Sequence, residues 1–179
     1  MTIQAKISEM TLRSIIIMCL FVASCSAESL ELPDMSQQRS KLIRSTFNGL
    51  RQDTLSLLDA FYDPSIVFED PVGKIEGLKG MKKYYENMYK NVQEIRFDFV
   101  DEVVQGPAHV AVWEMHLKAK GLNGGEEVIL LGNSLIKFDS GSGKVIYHRD
   151  YFDMGEMVYE HIPVLGTIIR AIRKRFEVE

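Results

Sequence analysis

Three side chains in the sequence could carry proton-transfer chemistry. Asp70 lies in Glu69-Asp70-Pro71-Val72-Gly73, and His148 and Asp150 are two residues apart near the end of the chain. A carboxylate in an apolar pocket loses hydration, which raises its pKa and lets it exchange protons near neutral pH. An imidazole titrates in that range, and a carboxylate within reach fixes its tautomer. The alternatives are structural: Asp-Pro can cap a turn, and His148 and Asp150 can form a satisfied buried pair.

Other chemistries find no support in the sequence. Neither a His-rich tract nor a Cys-x-x-Cys spacing indicates a metal site, and Gly132-Asn-Ser-Leu135 lacks the last glycine of a nucleophile elbow. Phosphate loops and dinucleotide fingerprints are also missing from the sequence. The formal net charge of -4 gives no reason to expect nucleic acid. We therefore expect a site that needs no metal or cofactor, and no nucleic-acid partner.

The elements that position these residues follow from the spacing of apolar side chains. Two N-terminal helices are predicted on either side of a break near 51–53, and a third helix follows Gly77. Their apolar stripes are Leu42, Ile43, Phe47 and Leu50, then Leu55, Leu58 and Phe61, then Met81, Tyr84, Tyr85, Met88 and Val92. A short extended segment, 65–70, lies between the second and third helices.

After the third helix the period changes to two, which predicts strands over about 95–104, 109–120, 128–138 and 145–153. Helices followed by a strand meander indicate an α+β fold, with helices packed on one face of a curved antiparallel sheet. In the second strand Trp113 and Met115 should face the helices. In the last strand both faces carry bulky rings, so alternation does not show which face points towards the core.

The segment from Phe61 to Gly73, followed by a helix and four long strands, resembles the nuclear transport factor two-like superfamily. That superfamily includes ketosteroid isomerases, SnoaL-type polyketide cyclases and limonene epoxide hydrolase, and the resemblance covers about 38–155. It implies a cone-shaped α+β barrel with a deep apolar pocket. It also implies that Asp70 occupies the general-base position and that His148, Asp150 and Phe152 face the cavity.

The resemblance also shows where this chain departs from a ketosteroid isomerase. The isomerase tyrosine on the first helix corresponds to the region of Ser45, Thr46 and Phe47, and its second aspartate corresponds to Ser134. Without those oxyanion donors, steroid isomerisation is not expected. The predicted pocket wall consists of side chains from the third helix and the strands, namely Tyr85, Met88, Trp113, Met115, Ser134 and Phe152.

The N-terminus has the features of an export signal. An apolar run over 14–22 follows Lys6 and Arg13, and it is about half the length of a membrane span. Val22-Ala-Ser-Cys25 resembles a bacterial lipobox, which predicts a leader over 1–24, acylation of Cys25 and a polar tether over 26–36. The alternatives are cleavage after Ala27, and an uncleaved anchor or a misassigned start. The protein is therefore expected to be exported, as a membrane-anchored lipoprotein or a periplasmic protein.

The C-terminal residues 156–179 form a predicted helical extension of basic character. Residues 25–161 contain 15 basic and 22 acidic side chains, whereas 162–179 contain four basic and two acidic ones. The extension has an apolar stripe at helical spacing: Leu165, Ile168, Ile169, Ile172 and Phe176. Such a helix can lie on an anionic membrane, or its stripe can dock on the domain or on a second subunit.

Together these features predict an exported SnoaL-like domain over 37–155 that binds a small apolar or amphipathic molecule. Asp70, assisted by His148 and Asp150, would catalyse a cofactor-independent isomerase, cyclase or hydrolase type of reaction. The alternative is a non-catalytic ligand-binding or dimerisation module tethered to a membrane. A homodimer is compatible with either hypothesis.

Overall fold

The computed structural model describes residues 35–176; Cys25, the predicted leader and most of the predicted tether lie outside the described residues. The helices are α1 (Met35–Gly49), α2 (Leu57–Phe61), α3 (Leu78–Tyr89), α4 (Met154–Met157) and α5 (Leu165–Arg173). The strands are β1 (Tyr62–Glu69), β2 (Lys74–Glu76), β3 (Val92–Gln105), β4 (Ala108–Ala119), β5 (Val128–Phe138) and β6 (Val145–Phe152). The α+β class predicted from the sequence is confirmed.

The six strands form one open sheet in the order β2-β1-β6-β5-β4-β3. The prediction of a purely antiparallel sheet is wrong in one respect, because β1 pairs with β6 in parallel. The predicted extended segment 65–70 is thus the larger part of a sheet strand. A parallel partner requires a long connection, and the chain between β1 and β6 supplies it with α3 and four strands.

Alternation along the strands determines which side chains reach the core. On β4 the buried residues include Trp113 and Met115, as predicted. On β6 the inner face carries His148, and Val145 is also buried although it lies three positions before His148, where strict alternation would place it on the other face. A register shift between Lys137 and Phe138 at the β5–β6 pairing accounts for this break in alternation.

The first three helices cover the inner face of the sheet. They bury Ile43, Leu58, Phe61 and Met81, which are 0% exposed. Complete burial of such side chains contributes about 1.5–3 kcal/mol each. Helix α3 begins directly after Gly77, whose φ of +78° is a conformation that favours glycine. The core therefore lies between these helices and the inner face, where the candidate site also lies.

The C-terminal extension forms α4, a 3-10 turn (Tyr159–His161) and α5. Leu165, Ile168 and Ile172, on the predicted apolar stripe, are exposed, whereas Gly166 is buried. Among the described residues, the alternative in which this stripe docks on the domain is therefore wrong. Within residues 35–176, none of the helices has the length and apolar character needed to cross a membrane.

Candidate active site

A cavity of about 90 Å³ lies between the first three helices and the inner face of the sheet. Aromatic, aliphatic and methionine side chains form most of its wall. Two carboxylates, Asp70 and Asp150, also line it. Met157 of α4 contributes to the wall too, although it lies outside the predicted domain limits of 37–155. The cavity is therefore apolar and carries a small number of polar groups, as small-molecule sites commonly do.

The structure places most of the predicted wall residues at the cavity, but not all of them. The wall includes Tyr85, Met88, Trp113, Met115 and Phe152. Ser134 and His148 are 0% exposed and lie behind the wall. These two residues therefore act on the cavity only through the side chains that they contact.

Asp150 is the point where two chains of hydrogen bonds meet. His148 Nε2 lies 2.8 Å from Asp150 Oδ1, and Ser134 Oγ lies 2.5 Å from the same oxygen. Behind them, Tyr62 Oη lies 2.6 Å from His148 Nδ1, and Trp113 Nε1 donates to Ser134 Oγ over 2.9 Å. The pairing of β4, β5 and β6 brings these residues together, since Ser134 lies opposite Asp150.

The direction of each hydrogen bond follows from the donors available. Burial raises the pKa of Tyr62 well above its ordinary value, so this phenol stays protonated and donates to His148 Nδ1. A neutral imidazole that accepts at Nδ1 carries its proton on Nε2 and donates it to Asp150. The Trp113 indole can only donate, so the Ser134 hydroxyl donates onward to Asp150. Both chains therefore end on Asp150 Oδ1 as hydrogen-bond donors.

One oxygen of Asp150 accepts both chains, and the other remains available. Among residues 35–176, no group forms a hydrogen bond with Asp150 Oδ2. The side chain is 17% exposed and lines the cavity. Asp150 therefore presents an anchored carboxylate with one oxygen that can accept a proton or a hydrogen bond from a bound molecule.

Aromatic rings fix the plane of the His148 imidazole. The ring stacks on Phe47 and on Tyr62 with centroid distances of 5.6 and 5.9 Å, and it meets the edge of Phe68 at 5.1 Å. Such contacts restrict the ring to one orientation. His148 is therefore a positioning residue for Asp150, rather than a group that could touch a ligand directly.

Asp70 is held differently, by a turn and by a phenol. Its Oδ1 accepts from the backbone N–H groups of Val72 and Gly73, each over 2.8 Å. Its Oδ2 accepts from Tyr84 Oη over 2.5 Å. The Asp-Pro-Val-Gly segment thus forms a turn that Asp70 caps, which is the structural alternative considered above. Both oxygens of Asp70 are engaged, although the side chain lines the cavity.

The phenols at the cavity remain hydrogen-bond donors. Burial raises the pKa of Tyr84, and its hydrogen bond to Asp70 raises it further. Burial also raises the pKa of Tyr85, and it raises the pKa of Tyr89 to about 12. None of these tyrosines is ionised near neutral pH, so each can donate to an oxygen but cannot act as a base.

Three of the phenols at the cavity were not predicted as site residues, namely Tyr62, Tyr84 and Tyr89. Tyr62 belongs to β1 and the other two to α3, whereas the isomerase tyrosine was sought on the first helix. There, Thr46 and Phe47 line the cavity without supplying a phenol. The sequence held a partial signal, because Tyr84 belongs to the apolar stripe of α3 next to Tyr85.

Only one group of described residues has the donor spacing for a metal ion. Ligand atoms of Asp98, Glu114 and His116 lie within 4.8 Å of one another. These residues lie on β3 and β4, on the face opposite Trp113 and Met115, and none of them lines the cavity. His116 already bonds Glu114 over 2.9 Å, and Arg96 pairs with Asp98. The group therefore forms a charge-compensated surface network with no part in the cavity chemistry.

Comparison with known proteins places this geometry in a family. The model of the SnoaL-like domain matches residues 43–148, which include Asp70 and His148. The match ends two residues before Asp150. No protein with a curated description matches the chain.

Solved structures with the same fold come from several bacteria. A protein from Shewanella denitrificans assigned to the SnoaL-like polyketide cyclases has 20% identity and a TM-score of 0.60, covering 69% of this chain and 94% of its own. An NTF2-like protein of unknown function from Burkholderia pseudomallei has 15% identity and a TM-score of 0.57, covering 76% and 95%. An LEH-like epoxide hydrolase from M. tuberculosis has 18% identity and a TM-score of 0.55, covering 75% and 94%. These similarities establish the cone-shaped fold.

Proposed function

The chain belongs to the SnoaL-like domain family, and from that premise we propose that it binds a small apolar or amphipathic molecule in the cavity and transfers a proton to or from it. The observation that carries this proposal is the Asp150 carboxylate, anchored through one oxygen and available through the other. A base held in one orientation at an apolar wall is what proton abstraction requires.

The geometry supports a division of roles that differs from the expectation based on sequence. We assign the base to Asp150 and not to Asp70, because both Asp70 oxygens already accept hydrogen bonds. Tyr84 donates its phenol proton to Asp70. If Tyr84 exchanges this partner for a ligand, its phenol can donate to a ligand oxygen. His148 and Ser134 hold Asp150 in place.

The chemistry of the wall limits the class of substrate. An apolar wall with one available carboxylate suits a carbon acid, such as a ketone that forms an enol, or an epoxide opened by water. In the epoxide case Asp150 takes a proton from the water as its oxygen bonds to a ring carbon and the ring C–O bond breaks, and that proton then passes to the ring-opened oxygen. In the ketone case the proton moves from carbon to Asp150 Oδ2 and returns to the enolate, so the reaction balances without a metal or cofactor. Similar proteins carry the names polyketide cyclase and epoxide hydrolase, which fit these two classes.

The size of the cavity favours a small molecule. A volume of about 90 Å³ is below the several hundred Å³ of a drug-sized ligand site. Met88 and Met157 are flexible parts of the wall, and rotation of their side chains would enlarge the space. We therefore expect small ketones or epoxides to bind before polycyclic molecules do.

Isotope exchange tests this function without knowledge of the natural product. The protein is incubated in D₂O with a panel of small apolar ketones, and deuterium at the α-carbon is measured by mass spectrometry. A parallel panel of epoxides is incubated in ¹⁸O-water, and diol formation is measured. We expect Asp150→Asn to lower the active reaction by about 10²- to 10⁴-fold, as the loss of a general base does.

Two further variants make this result specific. Asp70→Asn should have a smaller effect than Asp150→Asn. Asp63→Asn should have none, because this aspartate near the start of β1 accepts its hydrogen bonds from Ser65 and does not line the cavity. A ketone or epoxide that reacts equally fast with wild type and Asp150→Asn would show that Asp150 is not the base.

The second candidate function is a non-catalytic binding module. It is favoured by the turn at Asp70, whose carboxylate bonds backbone groups as a structural aspartate does. Native mass spectrometry of the purified protein would detect a retained ligand. A ligand that binds wild type and Asp150→Asn equally, with no exchange or hydrolysis by either, would support this module over an enzyme.

We further propose that the domain is exported and carries a lipid on Cys25. The proposal rests on the charged start, the apolar run and the Val-Ala-Ser-Cys25 segment. Mass spectrometry of the mature N-terminus tests it. An acylated Cys25 would support a membrane-anchored lipoprotein, whereas a free N-terminus at Glu28 would indicate a soluble exported protein.

A further inference from the structure

Helix α5 is attached to the domain by its polar side. Gly166 lies so close to the preceding turn that an added Cβ would come within 2.1 Å of the Glu160 carbonyl oxygen. Arg170 Nη1 donates to that same carbonyl over 2.9 Å. Arg173 pairs with Glu160 over 2.8 Å and also with Asp153. Asp153 in turn caps the start of α4 through its carboxylate.

The attachment leaves most of the apolar stripe of α5 in solvent, with Ile169 half-buried. Ile168 and Ile172 are 52% and 50% exposed, and Phe176 just beyond the helix is 80% exposed. Leu165 lies on the same side and is also exposed. On a helix with 100° per residue these side chains share one face, whereas Gly166, Arg170 and Arg173 lie together on a neighbouring face. A usual amphipathic helix would point the stripe inward.

The charge of residues 162–179 is positive on balance. Residues 162–176 contain Arg170, Arg173, Lys174 and Arg175, and the two acidic residues of this segment, Glu177 and Glu179, follow them in the sequence. The two acidic partners of Arg173, Asp153 and Glu160, lie on the side attached to the domain. Lys174 and Arg175 are exposed at the C-terminal end of α5, and at 100° per residue Arg175 lies next to Ile168 at the edge of the stripe. The outward side of this segment therefore combines apolar side chains with a cationic one at its edge.

We propose that this outward side of α5 docks on an anionic lipid surface. The apolar stripe would enter the boundary between head groups and acyl chains, and Lys174 and Arg175 would contact the head groups. A helix of nine residues is too short to cross a bilayer, so it would lie in the plane of the surface. The arginine contacts to Glu160 and Asp153 would keep the domain attached while the stripe is buried.

Charge favours a lipid surface over a second copy of the same segment. In a two-fold pair of identical faces, two copies of residues 162–179 that each carry four basic and two acidic side chains, a net charge of +2, would repel each other. An anionic head-group layer complements both the charge and the apolar stripe. This proposal is independent of the chemistry in the cavity.

A reporter on the tail itself tests the proposal in the full chain. The protein has a single tryptophan, Trp113, which is buried. Phe176→Trp adds a second one at the end of the stripe. We expect its emission to shift to shorter wavelength, and to be quenched by brominated lipid, on phosphatidylcholine vesicles containing about one third phosphatidylglycerol. Because the reporter lies on the tail, binding through other residues of the chain does not by itself produce this signal.

Matched variants separate the two contributions. In the reporter background, Ile168→Ser with Ile172→Ser should weaken binding by at least about tenfold. Lys174→Gln with Arg175→Gln should weaken binding to the anionic vesicles by about fivefold per charge removed, and added salt should reduce the wild-type affinity. Val103→Ser removes an exposed apolar side chain from β3 and should leave binding unchanged.

Two outcomes would overturn the proposal. The first is a reporter whose emission and quenching do not respond to anionic vesicles at any concentration. The second is an emission shift that occurs without vesicles, rises with protein concentration and disappears in the Ile168→Ser, Ile172→Ser variant. Sedimentation showing a dimer under those conditions would assign the stripe to self-association. Because the replaced side chains are exposed, unchanged thermal unfolding is expected and would confirm that each variant is folded.

Discussion

At the scale of single residues, the site depends on how two carboxylates are held. Asp150 receives both of its described hydrogen bonds on one oxygen, whereas Asp70 receives bonds on both oxygens. At the same cavity, Asp150 therefore keeps one carboxylate oxygen available to a ligand, whereas both oxygens of Asp70 are already engaged. The difference arises from the partners: a buried serine and an imidazole behind Asp150, and a turn and a phenol around Asp70.

Ser134 provides a test of this anchoring that does not need a substrate. Ser134→Ala removes the acceptor of the buried Trp113 Nε1–H and one donor to Asp150. Leaving a buried donor without a partner costs about 1–3 kcal/mol, so we expect the free energy of unfolding to fall by that amount. Urea denaturation followed by Trp113 fluorescence measures it.

The control for this variant is Ser56→Ala, at the start of α2, where the exposed serine makes no capping hydrogen bond. It should change stability by less than about 0.5 kcal/mol. Equal stabilities for Ser134→Ala and Ser56→Ala would mean that the Trp113–Ser134 bond contributes nothing to the fold.

At the scale of elements, the pairing of β4, β5 and β6 assembles the wall. Trp113 lies opposite Gly132, and Gly132 lies opposite Phe152. A Cβ on Gly132 would come within 2.2 Å of the Trp113 ring, so the indole occupies the space that any other residue would fill. Because Gly132 has no side chain, the Trp113 ring can lie across β5 and reach Ser134.

Gly132→Ala tests this close approach. The added methyl group should displace the Trp113 ring towards the cavity and destabilise the protein by about 1–3 kcal/mol, as overpacking does. Urea denaturation gives the stability, and a change in Trp113 emission reports the displacement. Gly73→Ala is the comparison, because a Cβ there meets nothing within 4 Å. A stable Gly132→Ala protein with unchanged emission would contradict the proposed packing.

At the scale of the whole molecule, one core buries several ionisable phenols from different elements. Burial raises the pKa of Tyr62 on β1 and of Tyr84, Tyr85 and Tyr89 on α3. In the unfolded chain each phenol ionises near pH 10. The folded protein keeps these protons at higher pH, so the stability that they contribute is fully present below pH 10 and is lost as pH rises above it.

Tyr89 allows a quantitative prediction, because its pKa is raised to about 12. Between pH 10 and 12 this group should lower the free energy of unfolding by about 1.4 kcal/mol per pH unit. Tyr89→Phe should remove that part of the slope in urea denaturation at a series of pH values. Tyr159→Phe, which removes an exposed phenol, is the control. If the free energy of unfolding fell equally steeply between pH 10 and 12 for wild type and for Tyr89→Phe, this account of Tyr89 would be contradicted.

The sequence by itself determined the class of fold and most of the cavity wall. Helical and strand periodicities are local, and they placed Trp113 and Met115 on the inner face before any contact was known. The resemblance, carried by the segment around Asp70, added the inner face of β6. The N-terminal expectations for Cys25 remain predictions, because they lie outside the described residues.

Only the tertiary structure decided which carboxylate has an available oxygen and which side of α5 meets the domain. Both depend on contacts between residues far apart in sequence, such as Tyr62 with His148 and Ser134 with Asp150. Periodicity shows which face a side chain occupies, but not which partner reaches it across the sheet. For α5, the apolar pattern left open whether the stripe meets a membrane, the domain or a second subunit, whereas the close approach of Gly166 and the arginine contacts hold another side of the helix against the domain.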